Sequence, residues 1–494
     1  MQYDLIVVGS GPAGQKAAIA AAKQNWRVVV IERQRELLGG VSLHTGTIPS
    51  KTIREAILHL SGYRHRDVYE EAYLRKREIT MDDLRRKVAQ VAQTDWQVIQ
   101  DQFARNRVNV MCGEASFLDA HRIEVSGRSE SQIIEGEHIL LAPGTRPARP
   151  AHIPFNGTSI YDSDEILNLS LVPRSMIVVG GGVIGLEYAI MFATLGVQVT
   201  VVDGRPQLLE FCDHEIIETL LHHARALGML FRLGESVTEI HEPKPGLVAV
   251  ELESGKWLLG ETALFSVGRV GDTAALRLPR AGLTTDDRGR MQVSEHFQTK
   301  VPHIYAVGDV IGFPALASTA MEQGRRAACH MLGHDFEPCQ NMPYGLFTIP
   351  EISMVGQNEE QLTAARVPYE IGIARFSEIA RGQIAGDLTG MLKLLFHRET
   401  RKLLGVHVIG ESATEIIHIG QAVMSLGGTI DYFRDTVFNY PTMAECYKVA
   451  ALDGLNKLSL WPEVETAEAD VDDELLPVDC VDEEAFAARQ PVLV

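Results

Sequence analysis

Three groups of residues in this chain have types and spacing that can do chemistry. The first is Gly9-Ser10-Gly11-Pro12-Ala13-Gly14, with Glu32 eighteen positions past the last glycine. The second is Gly180-Gly181-Gly182-Val183-Ile184-Gly185, with Asp203 eighteen positions beyond and Arg205 two further on. At this spacing the glycines permit a tight turn, let backbone approach a pyrophosphate, and let a helix pack close. The acid that follows can accept hydrogen bonds from a ribose diol. Asp203 favours a free 2′-hydroxyl, whereas an arginine at 205 is the type that meets a 2′-phosphate. The third group is the stretch GGVSLHTGTIPSK, residues 39–51, in which Ser42 and Thr47 stand five apart. Its glycine pair suggests a tight approach to something large, and its end predicts a helix starting near Pro49 with Lys51 in the first turn. It holds no cysteine.

The elements that must position these residues are legible on either side. Residues 4–9, DLIVVG, are apolar and β-branched without alternation, the pattern of a buried strand. QKAAIAAAKQN then reads as a helix, and WRVVVIE as a second strand stopping at Glu32. The same strand–turn–helix order recurs from residue 176, with VQVTVVD stopping at Asp203. Two such units imply two adenine dinucleotide sites. Further strands run into glycine turns at HILLAPGTRP, with Gly144, and at TALFSVGRVG, with Gly268. In HIYAVGDVIGFP a strand ends just before Asp309, a candidate for a ribityl hydroxyl or phosphate region, and the helix from about Ala317 can turn its N-terminus to the same ligand. Residues 62–80 are dense in charge, and a long helix is expected from Met81 to about Asn106. From Pro343 the texture becomes strand, strand and helix, an α+β pattern with an antiparallel sheet.

Size and composition bound the rest. A chain of 494 residues holds two to four domains with full cores. It has no apolar run of eighteen residues, so no bilayer-spanning segment is expected. The N-terminus reads as a strand rather than an export or organelle signal. Six cysteines are scattered without pair spacing, which suits a reducing compartment, and the expected location is cytoplasmic. Net charge is −19, of which eleven acids lie between Glu463 and Glu484. Residues 461–494 therefore read as an acidic, disordered tail, and the acidic body argues against nucleic acid as a partner.

Taken together, these residues resemble the flavoprotein family with two dinucleotide-binding domains, the class-I pyridine nucleotide-disulfide oxidoreductases. The resemblance covers about residues 3–458. It implies an α/β fold of two doubly wound, Rossmann-like domains plus a C-terminal α+β dimerisation domain. FAD would be held by a discontinuous domain of residues 1–150 and 270–340, NAD(P) by residues 151–269, and a dimer would form through residues 341–460. Gly9, Gly11, Gly14, Glu32, Arg33, Gly40, Ser42, Lys51, Gly144, Asp309 and Ala317 would serve FAD. Gly180, Gly182, Gly185, Glu187, Asp203, Arg205 and Gly268 would serve the nicotinamide nucleotide. Lys51 resembles the family lysine near the flavin, and Glu187 the glutamate beside it. No metal site is implied.

Most of the family places two cysteines five apart before Ile-Pro-Ser-Lys, where this chain has Ser42 and Thr47. A hydroxyl forms neither a disulfide nor a thiolate, so dithiol chemistry at this place is excluded. The family's thiol acid/base His-Pro with a following Glu appears here as Tyr440-Pro441 with Glu445, so the histidine is lost as well. His44 and His418 then read as packing or hydrogen-bonding residues. The words HTGTIPSK, IYDSD, YAVGDVIGFPALAS, TIPEIS, LFHRET, EIIHIGQAVM and FNYPTMAE match the soluble, Si-specific transhydrogenase branch. That branch already has Thr at the second cysteine position and usually keeps the first cysteine. The implied activity is FAD-dependent hydride transfer between NADPH and NAD+, with NAD(H) and NADP(H) as substrates and a homodimer or larger homo-oligomer as the assembly. The alternatives are an NAD(P)H diaphorase or quinone reductase, and a non-catalytic nucleotide-binding redox sensor.

Overall fold

Apolar β-branched runs without alternation need burial on both faces, and two largely parallel sheets provide it. The computed structural model describes residues 1–63, 79–128, 130–334 and 341–459. In the first sheet, β1 (Gln2–Val8) lies between β2 (Val28–Glu32) and β6 (Ser131–Leu141) and runs parallel to both. Val7 stands opposite Val30 on one side and Leu140 on the other. β3 (Asn109–Cys112) extends the sheet past β2, while β4 (Glu114–Phe117) and β5 (Arg122–Ser126) form an antiparallel flank. β17 (Ile304–Ala306) also pairs with β6, so a segment from far down the chain completes this sheet. Helices α1 (Pro12–Ala22) and α7 (Ala317–Met331) cover one face through Ala13, Ala17, Ala320 and Ala327. Their small side chains let the backbones touch: a Cβ on Gly324 would lie 2.0 Å from the Ala13 carbonyl.

The second sheet is parallel throughout, in the order β11 (Leu230–Leu233), β10 (Gln198–Asp203), β9 (Ser175–Val179), β15 (Thr262–Phe265), β8 (Ile160–Asp162). Helix α5 (Val183–Thr194) is buried from Gly185 to Thr194 without a polar face, because it packs between this sheet, other helices and the C-terminal region. Helix α6 (His214–Ala226) is capped by the Asp213 side chain. The other face is covered by an antiparallel sheet of β12 (Val237–Lys244), β13 (Leu247–Leu252) and β14 (Trp257–Gly260), with Ile177, Val248, Val250 and Phe265 in the shared core. β7 (Thr145–Pro147) pairs antiparallel with β16 (Arg269–Gly271), where the chain leaves the first sheet and where it comes back. The Gly144 turn is thus a crossing point.

The expected antiparallel C-terminal sheet is present, in the order β18 (Tyr344–Leu346), β19 (Glu351–Gly356), β22 (Leu403–Gly410), β21 (Met391–His397), β20 (Tyr369–Arg375). Short helices α8 (Glu359–Ala364), α9 (Ala380–Ala385) and α11 (Asp431–Asp435) join it, and α10 (Ala413–Ser425) and α12 (Glu445–Ser459) cover it.

One local expectation needs correction. The stretch after Gly39 is not a single turn into a helix at Pro49. It forms a short helix α2 (Gly40–His44), turns at Gly46, and begins α3 (Thr47–Ser61) two residues earlier than expected. Pro49 is the third residue of α3, where its missing N–H leaves no intrahelical bond unmade. The long helix α4 (Met81–Arg105) starts from a Thr80/Asp83 capping box. Most of the charge-dense stretch 62–80 and the acidic tail lie outside the described residues.

Candidate functional site

The first glycine unit is built by close backbone contacts. Gly9 has φ 100°, and a Cβ there would stand 2.2 Å from the Ala142 carbonyl. A Cβ on Gly14 would stand 2.0 Å from the Gly9 carbonyl, whereas one on Gly11 would meet open space. Gly11 is also the N-cap of α1 and gives it no side-chain cap. The helix therefore opens with unclaimed N–H groups, suited to an anion. Glu32 ties the loop together. One carboxylate oxygen accepts from the Ser10 N–H at 3.2 Å and hydroxyl at 2.6 Å, and the other accepts from the Arg33 N–H at 2.8 Å. Ser10 Oγ in turn accepts from the Gly39 N–H at 3.1 Å, so the acid also fixes the start of residues 39–51.

A cavity of about 380 Å³ opens over this loop. Gly9, Gly11, Glu32, Arg33, Gly40, Ser42, Gly144, Asp309 and Ala317 line it; Gly14 and Lys51 do not. Thr47 and His44 line it too, and the lining residues include no cysteine among the described residues. His44 Nε2 is 3.0 Å from the Leu38 carbonyl, as a hydrogen-bonding residue should be. Asp309 is approached by the Thr145 hydroxyl at 3.4 Å. Arg269 donates to Thr145 Oγ1 and to its carbonyl, each at 2.9 Å, and to Asp164 at 2.7 Å. Burial pushes the Asp309 carboxyl up, with the Arg269 charge and the Thr145 hydroxyl working against it. These residues suit a flavin dinucleotide: an unsubstituted cradle at Gly11, an uncapped helix N-terminus, and an acid placed for a ribose.

Lys51 is not among the residues lining that cavity and pairs with α5. Its ammonium lies 2.5 Å from Glu187, whose side chain is buried, and 4.9 Å over the Phe347 ring. The other Glu187 oxygen accepts from the Phe347 N–H at 2.9 Å. Three residues along α3, buried Arg54 donates to the Thr348 carbonyl at 2.9 Å and pairs with Glu351 at 3.2 Å. Helix α3 is thereby held both to α5 and to the C-terminal region. Sequence reasoning missed Phe347, Arg54, Ser10 and Arg269. Ser10 sits inside the glycine motif and Phe347 just before TIPEIS, so position was the available signal.

The second unit repeats the first. Gly180 has φ 101°, with a Cβ there 2.4 Å from the Ser266 carbonyl, and a Cβ on Gly185 would be 2.0 Å from the Gly180 carbonyl. Gly182 faces open space and is the uncapped N-cap of α5. Gly268, at φ 122°, likewise has nothing near a Cβ. Asp203 is buried and fully engaged: Oδ2 accepts from the Gly181 N–H and Arg205 Nη2, both at 2.7 Å, and Oδ1 from the Arg205 N–H and Nε, both at 2.9 Å. Burial disfavours its charge, but the Arg205 and Gly181 hydrogen bonds outweigh that and hold its carboxyl below the ordinary range.

Two glycine units of one local geometry, one beside a cavity, decide the family, and comparison with known proteins agrees. Residues 3–324 match the pyridine nucleotide-disulphide oxidoreductase family and residues 342–451 its dimerisation domain. The chain belongs to that family. It is 52% identical over 460 residues to the soluble pyridine nucleotide transhydrogenase of Mycobacterium tuberculosis (strain ATCC 25177 / H37Ra), covering 92% of this chain and 98% of the relative. The protein of that name from Colwellia psychrerythraea is 45% identical over 462 residues, covering 92% and 98%. Among solved structures, the Cu(II) complex of the HOCl-induced flavoprotein disulfide reductase RclA from Escherichia coli superposes with a TM-score of 0.83 at 27% identity, covering 92% of this chain and 99% of that one. LpdA from Mycobacterium tuberculosis gives 0.83 at 27% identity, with 91% and 99% covered.

The chain is thus an oxidoreductase of pyridine nucleotides in a fold used for thiol chemistry, and the thiol positions can be inspected. Tyr440, after which comes a cis peptide to Pro441, is 72% exposed. Glu445 starts α12 with one carboxylate oxygen buried and unpartnered. His418 Nδ1 is 2.8 Å from the Gln421 side chain on the same helix. The described free cysteines are Cys112, Cys212, Cys329 and Cys446, and no described group of His, Cys, Asp and Glu could hold a metal. No described helix is long and apolar enough to cross a membrane.

Proposed function

We propose that this protein is an FAD-dependent NAD(P)+ transhydrogenase, passing hydride between NADPH and NAD+ without a redox disulfide. The observation that carries the reading is the pair Ser42 and Thr47 on the cavity lining, where the family's disulfide would stand. The names of relatives at 45–52% identity support it. FAD, when bound, supplies a carrier that accepts hydride from one nicotinamide and gives it to another. This chain's residues do the rest. Gly9 and Gly11 admit the pyrophosphate, Gly14 lets α1 pack close beneath it, Glu32 takes the ribose, and Asp309 with Ala317 the ribityl and phosphate region. Gly180, Gly182, Gly185, Asp203, Arg205 and Gly268 seat the nicotinamide nucleotide. Lys51, held by Glu187, sets positive charge behind the reacting face, where developing negative charge is stabilised.

The same reading assigns residues 1–150 and 270–340 to the FAD domain, 151–269 to the NAD(P) domain and 341–460 to a domain that joins two copies. Pairing of β17 with β6 supports the discontinuous first domain, and exposed Tyr432, Val437 and Tyr440 offer apolar surface for a second copy. Its free thiols suit the cytoplasm.

Stopped-flow mixing tests the proposal. NADPH should bleach the flavin and NAD+ should restore it within the turnover time. Slow restoration by NAD+ with fast restoration by a quinone would replace this reading with a diaphorase. No bleaching by either reduced nucleotide would leave a binding protein.

A further inference from the structure

A short segment a few residues past β10, residues 208–213, touches all three of the domains assigned above. We infer that this segment is a joint that aims the nucleotide unit at the flavin cavity, with Phe211 and Tyr344 as its positioning residues. The inference rests on the nucleotide site assigned above and names what orients that site.

At one end Leu208 packs on the second glycine loop, where a Cβ on Gly181 would stand 2.5 Å from its Cδ2. Leu209 is 1% exposed and has φ 51°. A leucine keeps that left-handed conformation only where its surroundings fix it. Phe211 then meets Tyr344 of β18, with ring centroids 5.1 Å apart, and Phe313 at 6.4 Å. Phe313 and Tyr344 stack at 6.2 Å. These are the separations of attractive aromatic pairs. Phe313 stands two residues before Ala315 of the cavity lining, so the rings join the nucleotide unit, the cavity edge and the C-terminal sheet. Burial pushes the Tyr344 phenol up, and the Glu187 and Asp309 charges push it further, one acid from each site. At the other end, buried Lys393 of β21 donates to Asp213 at 3.1 Å and to Glu215 at 3.2 Å, and pairs with Glu359 of α8.

A nucleotide takes its pyrophosphate contacts within its own unit, but its reacting ring must meet a flavin held by another. Affinity then follows the glycine loop, whereas rate follows the placement of one unit against the other. A misplacement of about 1 Å costs on the order of 100-fold in rate. A segment clamped to the loop, the cavity edge and the C-terminal sheet sets that placement.

Three measurements on the FAD-loaded protein test this: single-turnover bleaching by NADPH, calorimetric binding of NADP+, and hydrogen exchange of residues 208–216. Phe211→Ala and Tyr344→Ala should each slow bleaching by roughly 10- to 100-fold and leave the NADP+ Kd within about threefold. Exchange at residues 208–216 should rise in both, while residues 9–14 and 180–185 keep native exchange. Tyr344→Phe, which keeps the ring, should bleach at the native rate. Lys393→Met strands three carboxylates and tests folding as much as the joint, so the rings carry the test. Rate lost in step with affinity, a native rate without either ring, or unchanged exchange overturns the inference. So does a Tyr344→Phe as slow as Tyr344→Ala, which would give the hydroxyl a part in the chemistry. If the variants behave as described but NAD+ fails to restore the native flavin, the transhydrogenase reading falls while the joint stands.

Discussion

The two glycine units of this chain are near copies in backbone and opposites in side-chain economy. In both, the first glycine lies at φ near 100° and the third leaves no room for a Cβ. In both, the acid at the end of the second strand reaches back to the residue after the first glycine, Ser10 or Gly181. They part at the arginine. In the first, Glu32 spends its bonds on stiffening the loop and on residues 39–51 through Ser10, which suits a group held permanently. In the second, Asp203 spends most of its bonds on a side chain that can swing, which suits a ligand that comes and goes. On the proposed function the same motif serves retention in one place and exchange in the other, and the two units differ in what the neighbouring arginine holds.

The comparison can be broken most severely at the third glycine. Gly14→Val should yield protein without flavin, and Gly185→Val protein that keeps flavin but is bleached by NADPH more slowly by upwards of roughly 100-fold, since each Cβ would drive into a carbonyl. Loss of flavin in both variants would mean that the two units do not serve separate ligands.

A smaller effect is expected where the units are joined. Lys51→Ala leaves Glu187 buried with only the Phe347 N–H, which should cost about 1–3 kcal/mol in chemical denaturation. Flavin reduction should slow as well. Adding Glu187→Gln should restore much of that stability but not the rate. A double variant no more stable than the single would show that the pair's energy is not the loss of a charge partner.

The two site carboxylates should also answer pH in opposite directions. Asp203 has a depressed pKa in the folded protein, so the stability it contributes is present above the ordinary carboxylate value and is lost as pH falls through the folded value. Asp309 has a raised pKa, so its ionisation costs stability as pH rises. Asp309→Asn should therefore raise the Tm of the FAD-stripped protein at neutral pH by a few degrees, while Asp203→Asn should lower it and flatten the acid limb of the curve. Parallel shifts in the two variants would contradict the burial and bonding described.

The smallest change is expected at Arg33. Its pair with Asp272 is half exposed on the arginine side, so Arg33→Ala should alter stability by under about 1 kcal/mol and leave both nucleotide affinities within a few-fold. A large loss there would remove the contrast with Arg205.

Much of this was legible in residue order because its causes are local. Glycines at fixed spacing, a β-branched run before them and an acid after the next strand constrain a segment of about thirty residues whatever surrounds it. The antiparallel C-terminal sheet was readable for the same reason. What was not readable depends on partners distant in the chain. Arg54 resembles any helix-surface arginine until α3 is laid against residues 347–351, and Phe347 gains its role only because Lys51 and Glu187 meet beside it. α3 starts at Thr47 rather than near Pro49 because glycines at 39 and 46 divide the stretch into two helices, which puts Ile-Pro-Ser-Lys just past the first residue of the second.

By itself, then, the sequence determined that two dinucleotide units are present and that dithiol chemistry is absent at residues 42 and 47, since a hydroxyl forms neither a disulfide nor a thiolate in any fold. Only the tertiary structure decided where Arg33 and Arg205 point. Both follow an acid at the end of a strand, Arg33 by one residue and Arg205 by two, and neither spacing shows which carboxylate the guanidinium reaches. Asp272 bonds the first, and Asp203 bonds the second. A long, flexible cation is placed by whichever carboxylate folding leaves within its reach, and on the proposed function that choice accompanies the difference between a site that keeps its ligand and one that trades it.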